Sequence, residues 1–429
     1  MRTVDISNDV MAITQLVNRR VGNDRDAERR VRTILQNVQR RGDRALLAYT
    51  RKLDCPRIDE VGLRVTAREM RRAYEDVSKA FLIAVRIARR NIVAFHSRQL
   101  PNPVSTRNGG LKAAQRFMPL KRVGIYVPGG KAAYPSTVLM NAVPAVVAGV
   151  EEIAITTPCG ASGRIAPEVL VAAHECGVSE LYRVGGAQAI GALAYGTGTI
   201  RMVDKITGPG NRYVAIAKRL VFGVTGIDAI AGPTEVVIIA DEGARPDLVA
   251  ADLIAQAEHD EQAFPVCIST SARLLRQVQL AVSNQLKLAP RRRIAQVSLD
   301  DQGLLIRVRS LAQAVDAANA IAPEHCEIMV RNPRSLAARI TSAGAVFIGE
   351  WSTEALGDYV AGPNHTLPTS GTARFSSALN TLDFMRFSTV VECTRREFMK
   401  LAPIVETLAE AEGLYGHSAS VKIRRTNGE

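Results

Sequence analysis

The chain has 429 residues, 47% of them hydrophobic, enough for a large core and for two or more domains. Its formal charge of +13 raises nucleic acid as a partner, but basic residues are interleaved with acids along helical stretches and aromatics are only 5%, so no nucleic-acid surface is expected. The six cysteines, at 55, 159, 176, 267, 326 and 393, form no CxxC pair, which argues against a disulfide framework or zinc knuckle and fits a reducing compartment.

The opening "MRTVDISNDVMAITQLVNRR" carries acids and lacks a long apolar run, so it does not read as a signal peptide. The longest apolar runs, such as Ala145 to Val150, fall far short of a membrane span. A cytoplasmic protein without a membrane partner is therefore expected. Residues 25 to 51 and 67 to 97 carry apolar residues at three-to-four spacing and predict two long amphipathic helices, the second with room for one break. Segment 102–119 is polar and reads as irregular, turning at Gly109–Gly110.

The texture changes at Arg122. "RVGIYVPGG" is a short apolar strand running into a glycine pair, and "EEIAITTPCG" repeats the pattern at 151–160. "SELYRVGGAQAIGALAYG" and "VDKITGPGNRYVAIAKRLVFG" each read as strand, glycine turn and helix. "EVVIIADEGA", "AFPVCIST", "CEIMV" and "GAVFIG" are further strands. Short β-rich runs alternating with helices predict an α/β fold with mostly parallel sheets, and ligands at the C-terminal ends of the strands. From about 380 no sheet pattern is visible; "TRREFMKLAPIVETLAEAEGL" reads as an amphipathic helix.

Three glycine-bearing loops, 127–138, 184–191 and 207–214, each follow a strand. Glycine permits positive φ and close approach of a ligand, and helix N-termini offer free amides to an anion. None is a complete GxGxxG or Walker A loop. Each alone reads as a tight turn; together they favour a nucleotide or phosphate site. Of six histidines, His96 and His174 lie within predicted helices and read as structural. The other four stand in polar contexts. In "QAEHD", Gln256 and His259 are three apart near a helix end and share a face, which suits either a divalent metal with N/O ligands or ordinary helix-end polarity. Asp358 and His417 are possible distant partners. In "PEHCE", Pro323 stops the helix, leaving Glu324 and His325 on a loop where both can point into one cleft. They suit proton transfer, metal ligation or plain helix termination.

Taken together, "RVGIYVPGG", "VGGAQAIGALAYGT", "KITGPGNRYV", "GIDAIAGPTE", "QAEHD", "APEHCE", "GDYVAGPNHTLPTSGTARFSS" and "EGLYGH" resemble the histidinol dehydrogenases over nearly the whole chain. The resemblance implies two incomplete Rossmann-like domains with parallel sheets plus small helical N- and C-terminal extensions. Residues 1–24 would be the N-terminal helical extension. Residues 25–124 and 236–379 would form the larger α/β domain, 125–235 the NAD-binding domain, and 380–429 the C-terminal dimerisation region.

It further implies oxidation of L-histidinol to L-histidine through histidinaldehyde with two NAD⁺, in the final steps of histidine biosynthesis, with one Zn²⁺ per subunit. The family's catalytic pair falls on Glu324 and His325, its metal ligands on Gln256, His259, Asp358 and His417, and its NAD contacts on Tyr126, Gln188 and Asn211. Its substrate contacts fall on Thr234, Gln256, His259, His325, Asp358, His365, Glu412 and His417. A homodimer with exchanged C-terminal regions is implied, Glu412 and His417 reaching the other subunit's site. Against the family pattern, Thr234 replaces serine, Cys326 replaces leucine, Gly416 precedes His417 in place of alanine, and "DFMRFSTV" replaces a more basic stretch; no ligand or catalytic residue is lost. Two alternatives remain: a paralogue oxidising another small polar alcohol such as a sulfonated diol, and a non-catalytic binding or scaffold protein.

Overall fold

The computed structural model describes residues 1–7, 24–129 and 133–426, and the chain divides into two compact units. The first unit, Met1–Gln99 with Leu120–Phe384, is built on two parallel sheets. The larger has six strands in the order Arg2–Asp5, Leu304–Arg307, Phe264–Ser269, Glu235–Ala240, His325–Met329 and Ala345–Ile348. The run "EVVIIA" is fully buried because helices cover both faces, as in other parallel sheets. Period-two alternation sorts its side chains. Val237 and Ile239 join Ile268, Ile306, Cys326 and Ile328 under the helix Leu311–Ile321. Val236 and Ile238 face the opposite way, with Cys267, Leu305 and Met329, toward the helices Pro246–Ala257 and Ala272–Gln285.

The smaller sheet has five strands in the order Glu180–Arg183, Glu152–Thr157, Arg122–Tyr126, Lys205–Thr207 and Gly226–Ile227, all parallel. The "VGIYV" core is shut beneath the helices Pro135–Ala148 and Gly186–Tyr195. Gly124 is required here, since a β-carbon on it would stand 3.0 Å from Leu193 and 3.1 Å from Val203. At the far edge, Arg122, 6% exposed, bonds Glu152 at 2.8 Å and Glu180 at 2.6 Å, and Arg201 also reaches both carboxylates.

The α/β class with parallel sheets is as the sequence predicts; several elements differ. Residues 25–51 form two helices, Arg25–Arg41 and Asp43–Leu53, because Gly42 turns the chain at φ +51°. Arg2–Asp5 is an edge strand paired with Leu304–Arg307, not a helix, and the rest of the expected N-terminal extension, residues 8–23, lies outside the described residues. Among the described residues no helix is long and apolar enough to cross a membrane.

The second unit joins Leu100–Pro119 to Met385–Glu429. Val104–Asn108 and Leu111–Pro119 form a hairpin turning at Gly109–Gly110, and Met385–Cys393 pairs antiparallel on its other side. The sequence reading of these stretches as strandless is corrected here. They alternate poorly because they are largely exposed: every residue of Val104–Asn108 faces solvent. The helices Arg395–Ala411 and Tyr415–Thr426 complete the unit.

Arg122→Met removes the main cation from two partly buried carboxylates. It should lower unfolding free energy by roughly 3 kcal/mol in urea denaturation, the remaining Arg201 limiting the loss.

Candidate active site

Glu324 and His325 stand at the N-terminal edge of the six-stranded sheet, opposite to the edge the sequence predicts for ligands. The helix Leu311–Ile321 ends at Ala322 in the left-handed region, φ +50°, and Pro323 leads straight into the strand His325–Met329. His325 is therefore not on a free loop. Its backbone pairs with Val236 and Ala345, and the pleat sets the direction of its ring. His325 and Glu327, two apart, share the face toward the helix Pro246–Ala257, where Asp252 and Gln256 stand one turn apart. Gly344 permits this edge: a β-carbon there would meet the Glu324 carbonyl at 2.6 Å.

The neighbouring strand supplies the rest. Glu324 Oε2 accepts from Thr234 Oγ1 and from the Glu235 amide at 3.0 Å. The Glu235 carbonyl lies 3.1 Å from His325 Nδ1, and since a carbonyl only accepts, Nδ1 carries the hydrogen. That leaves Nε2 without a hydrogen-bond partner, 3.7 Å from Asp358 Oδ1. Glu354 Oε2 is 3.7 Å and Glu324 Oε2 3.8 Å from Nδ1. Glu354 and Asp358, four apart on the short helix Glu354–Tyr359, both face the imidazole. The Asp358 carbonyl lies 3.1 Å from His365 Nδ1.

Gln256 is completely buried and closes the cluster. With its nitrogen toward Thr234, its oxygen faces only acceptors. Turned over, the nitrogen donates to Glu354 Oε2 at 2.8 Å and the oxygen lies 2.7 Å from Thr234 Oγ1, whose single hydrogen is then shared between Gln256 and Glu324. We adopt that orientation. The amide atom 3.3 Å from His259 Nδ1 is then the oxygen.

Charge follows from this packing. Burial alone would push the His325 pKa down; Glu354, Glu324 and Asp358 outweigh it and hold the ring well above its ordinary value. Burial raises Glu324 above the usual carboxylate range, against the pull of His325 and Thr234. Burial pushes Glu354 up to about 8. For Asp358 burial is outweighed by the nearby histidines, His325 first, and its pKa is lowered. Burial lowers His365, opposed by Asp358. His259 has much of its surface open to solvent, yet crowding around its ring still favours the neutral form, again opposed by Asp358. Beneath them Glu327, 1% exposed, accepts from the Glu354 amide at 2.8 Å; burial, then the Asp252 charge, pushes Glu327 up to about 9.

A cleft of about 1030 Å³ opens onto His325, Asp358 and His365 and continues along Phe347, Leu356 and Leu379. Among the described residues, no three His, Cys, Asp or Glu side chains gather as a metal cluster. With Gln256 included the donor set fits a borderline cation: an amide oxygen beside an imidazole nitrogen, and an acidic Asp358 whose charge acts on His259. Glu412, just past the helix Arg395–Ala411, and His417, within Tyr415–Thr426, both have exposed side chains in the second unit.

The predicted nucleotide residues lie at the C-terminal edge of the five-stranded sheet, as expected. Tyr126 and Asn211 also hold their loops together. The buried Tyr126 hydroxyl accepts from the Gly186 amide at 3.0 Å, so it fills the first turn of the helix Gly186–Tyr195. Gln188 is buried, and its Oε1 has no partner among the described residues. Asn211 caps Arg212–Val221 by accepting from the Tyr213 and Val214 amides at 3.0 and 3.2 Å.

The histidinol dehydrogenase family model matches residues 17–425. The chain belongs to the histidinol dehydrogenase family. It is 51% identical over 399 residues to the histidinol dehydrogenase of Synechococcus sp., covering 93% of this chain and 92% of that one. It is 48% identical over 427 residues to histidinol dehydrogenase 2 of Trichormus variabilis, covering 99% of both. The crystal structure of histidinol dehydrogenase from Elizabethkingia anophelis, 37% identical, superposes with a TM-score of 0.94 over 100% of this chain and 98% of that one. Membership makes the chain an NAD-dependent oxidoreductase.

Sequence reading missed Glu354, Glu327 and Asp252. The signals were present: Glu354 is one turn before Asp358, and Glu327 is on the same pleat face as His325. The raised Glu327 pKa has a stability consequence. From about pH 4.5 the unfolded chain ionises this carboxyl while the folded chain holds its proton, so stability falls as pH rises to about 9. Glu327→Gln keeps an acceptor for the Glu354 amide and cannot ionise. Its thermal stability should fall less steeply with pH than that of the wild type, with the difference in its favour at pH 8; a steeper loss would contradict a Glu327 that keeps its proton.

Proposed function

We propose that this chain oxidises L-histidinol to L-histidine through an enzyme-held histidinaldehyde, with two NAD⁺ and one Zn²⁺ per subunit. The observation that carries the residue roles is the unpartnered His325 Nε2, aimed at the cleft, beside a Glu324 carboxyl fixed by two hydrogen bonds.

Gln256, His259 and Asp358 would hold the zinc, with His417 of the partner subunit as fourth ligand. Bound there, the metal supplies a grip on the amine and imidazole of histidinol and so orients the alcohol carbon. NAD⁺, on the Tyr126, Gln188 and Asn211 loops, supplies the hydride acceptor. The remaining work falls to the chain. His325, in its neutral form with the Nδ1 hydrogen on the Glu235 carbonyl, takes the alcohol proton at Nε2, and its raised pKa places that form on the alkaline side. Glu324 takes a proton from the water that adds to the aldehyde, while Thr234 and the Glu235 amide hold its other lone pairs. His325 then takes the hydroxyl proton of the hydrated aldehyde as the second hydride leaves. Thr234, His365 and the partner's Glu412 would meet the polar ends of the substrate, and the buried cluster keeps the aldehyde from solvent.

Three donors in one chain leave the metal shell incomplete, and Glu412 and His417 are exposed. Both facts support a homodimer in which the C-terminal regions are exchanged. The division of roles separates two variants. His325→Asn should lower kcat by about a thousandfold and retain zinc. His259→Asn should lose zinc and histidinol binding together, as read by metal analysis and calorimetry. The reverse pattern would exclude the assignment.

A further inference from the structure

The loop that carries Asn211 is held from below by an ion pair that no part of the chemistry above uses. Lys218, on the helix Arg212–Val221, is 2% exposed, and its ammonium bonds Asp228 and the Gly208 carbonyl, the latter at 2.9 Å. The other Asp228 oxygen accepts from the Gly208 amide at 2.8 Å. Both polar groups of one glycine are thereby gripped. The strand before it is only Lys205–Thr207, so the sheet ladder ends where this grip begins. Gly208 turns at φ +106°, and a β-carbon there would stand 2.1 Å from the Tyr126 carbonyl. Gly210 packs as tightly, its β-carbon position 2.4 Å from Val214. Asn211 follows.

Stability alone does not account for the pair. Two buried charges lose several kcal/mol of hydration each, and apolar residues of similar volume commonly do as well. The neighbours of Lys218 on its helix, Val214, Ala217 and Val221, are buried and apolar, so a methionine would pack there. What it could not do is hold the Gly208 carbonyl.

We propose that Lys218 and Asp228 are positioning residues for the dinucleotide, fixing Gly208 and so the loop to Asn211 in the conformation that receives NAD⁺. This rests on the reading that Tyr126, Gln188 and Asn211 form the NAD⁺ edge.

The test uses the full chain with zinc supplied and the double variant Lys218→Met/Asp228→Asn, which removes both charges together and keeps an acceptor for the Gly208 amide. Asp228→Asn alone is the milder variant should the double one melt. Asn211→Ala is made in parallel to test the edge itself. Calorimetric NAD⁺ binding, both KM values, kcat and zinc content are measured. The expected result is a KM and Kd for NAD⁺ raised about tenfold. The KM for histidinol, the zinc content and kcat at saturating NAD⁺ should change far less. If Asn211→Ala weakens NAD⁺ and the folded clamp variants do not, or if both KM values rise together, the clamp is overturned. If neither Asn211→Ala nor the clamp variants weaken NAD⁺, the edge itself is wrong and the proposal falls with it.

Discussion

An imidazole held among three carboxyls, away from water, is the constraint on which the site depends. His325 is nearly inaccessible, with Glu324, Glu354 and Asp358 each within 4 Å of its nitrogens. Unpaired buried charge is costly, so each carboxyl must be satisfied by a fixed donor or keep its proton. Glu324 is met by Thr234 and the Glu235 amide, Glu354 by Gln256, and Glu327 below them accepts from the Glu354 amide and keeps its proton up to about pH 9. These bonds tie together the strands beginning at Glu235 and His325 and the helices ending at Ala257 and Tyr359. Local electrostatics and the placement of the catalytic groups are thus one problem with one solution.

That solution sets chemical character. In the neutral ring the carbonyl on Nδ1 decides the tautomer of His325 and leaves Nε2 for the proposed proton transfer. A site with three acidic side chains and a neutral His259 calls for a cation, and the amide oxygen of Gln256 beside His259 makes room for one. The proposed cofactor edge works differently. There the polar residues are spent on loop geometry: Tyr126 on Gly186, Asn211 on its own helix, Lys218 and Asp228 on Gly208.

Much of the fold was legible in the sequence because both parallel sheets are buried on both faces. Runs such as "EVVIIA" and "FPVCIS" are buried throughout and apolar but for one end residue each, and glycines mark where several strands end. The hairpin at 104–119 and the strand at 385–393 were not legible, since exposed strands carry no alternating apolar signal. Gly42 was hidden inside an otherwise continuous helical period. At the site, residue types and spacing brought out Glu324, His325, Gln256 and His259, and family resemblance assigned their roles. The edge of the sheet on which they stand was not legible. The rule that ligands sit at strand C-termini agrees with where the proposed NAD⁺ residues of the five-stranded sheet stand, whereas in the six-stranded sheet the Glu324–His325 cluster stands where two strands begin. Glu354, Glu327 and Asp252 escaped notice because single carboxylates are common on surfaces, and only the packing reveals that the two glutamates are buried and Asp252 half-buried.

The decisive experiment is the stoichiometry of NADH formation by the purified, zinc-loaded chain with limiting L-histidinol. Two NADH per histidinol, with histidine as the product and activity lost on chelation, is the predicted result. One NADH with released aldehyde, or none with zinc bound, would contradict a four-electron oxidation carried through at a single buried histidine.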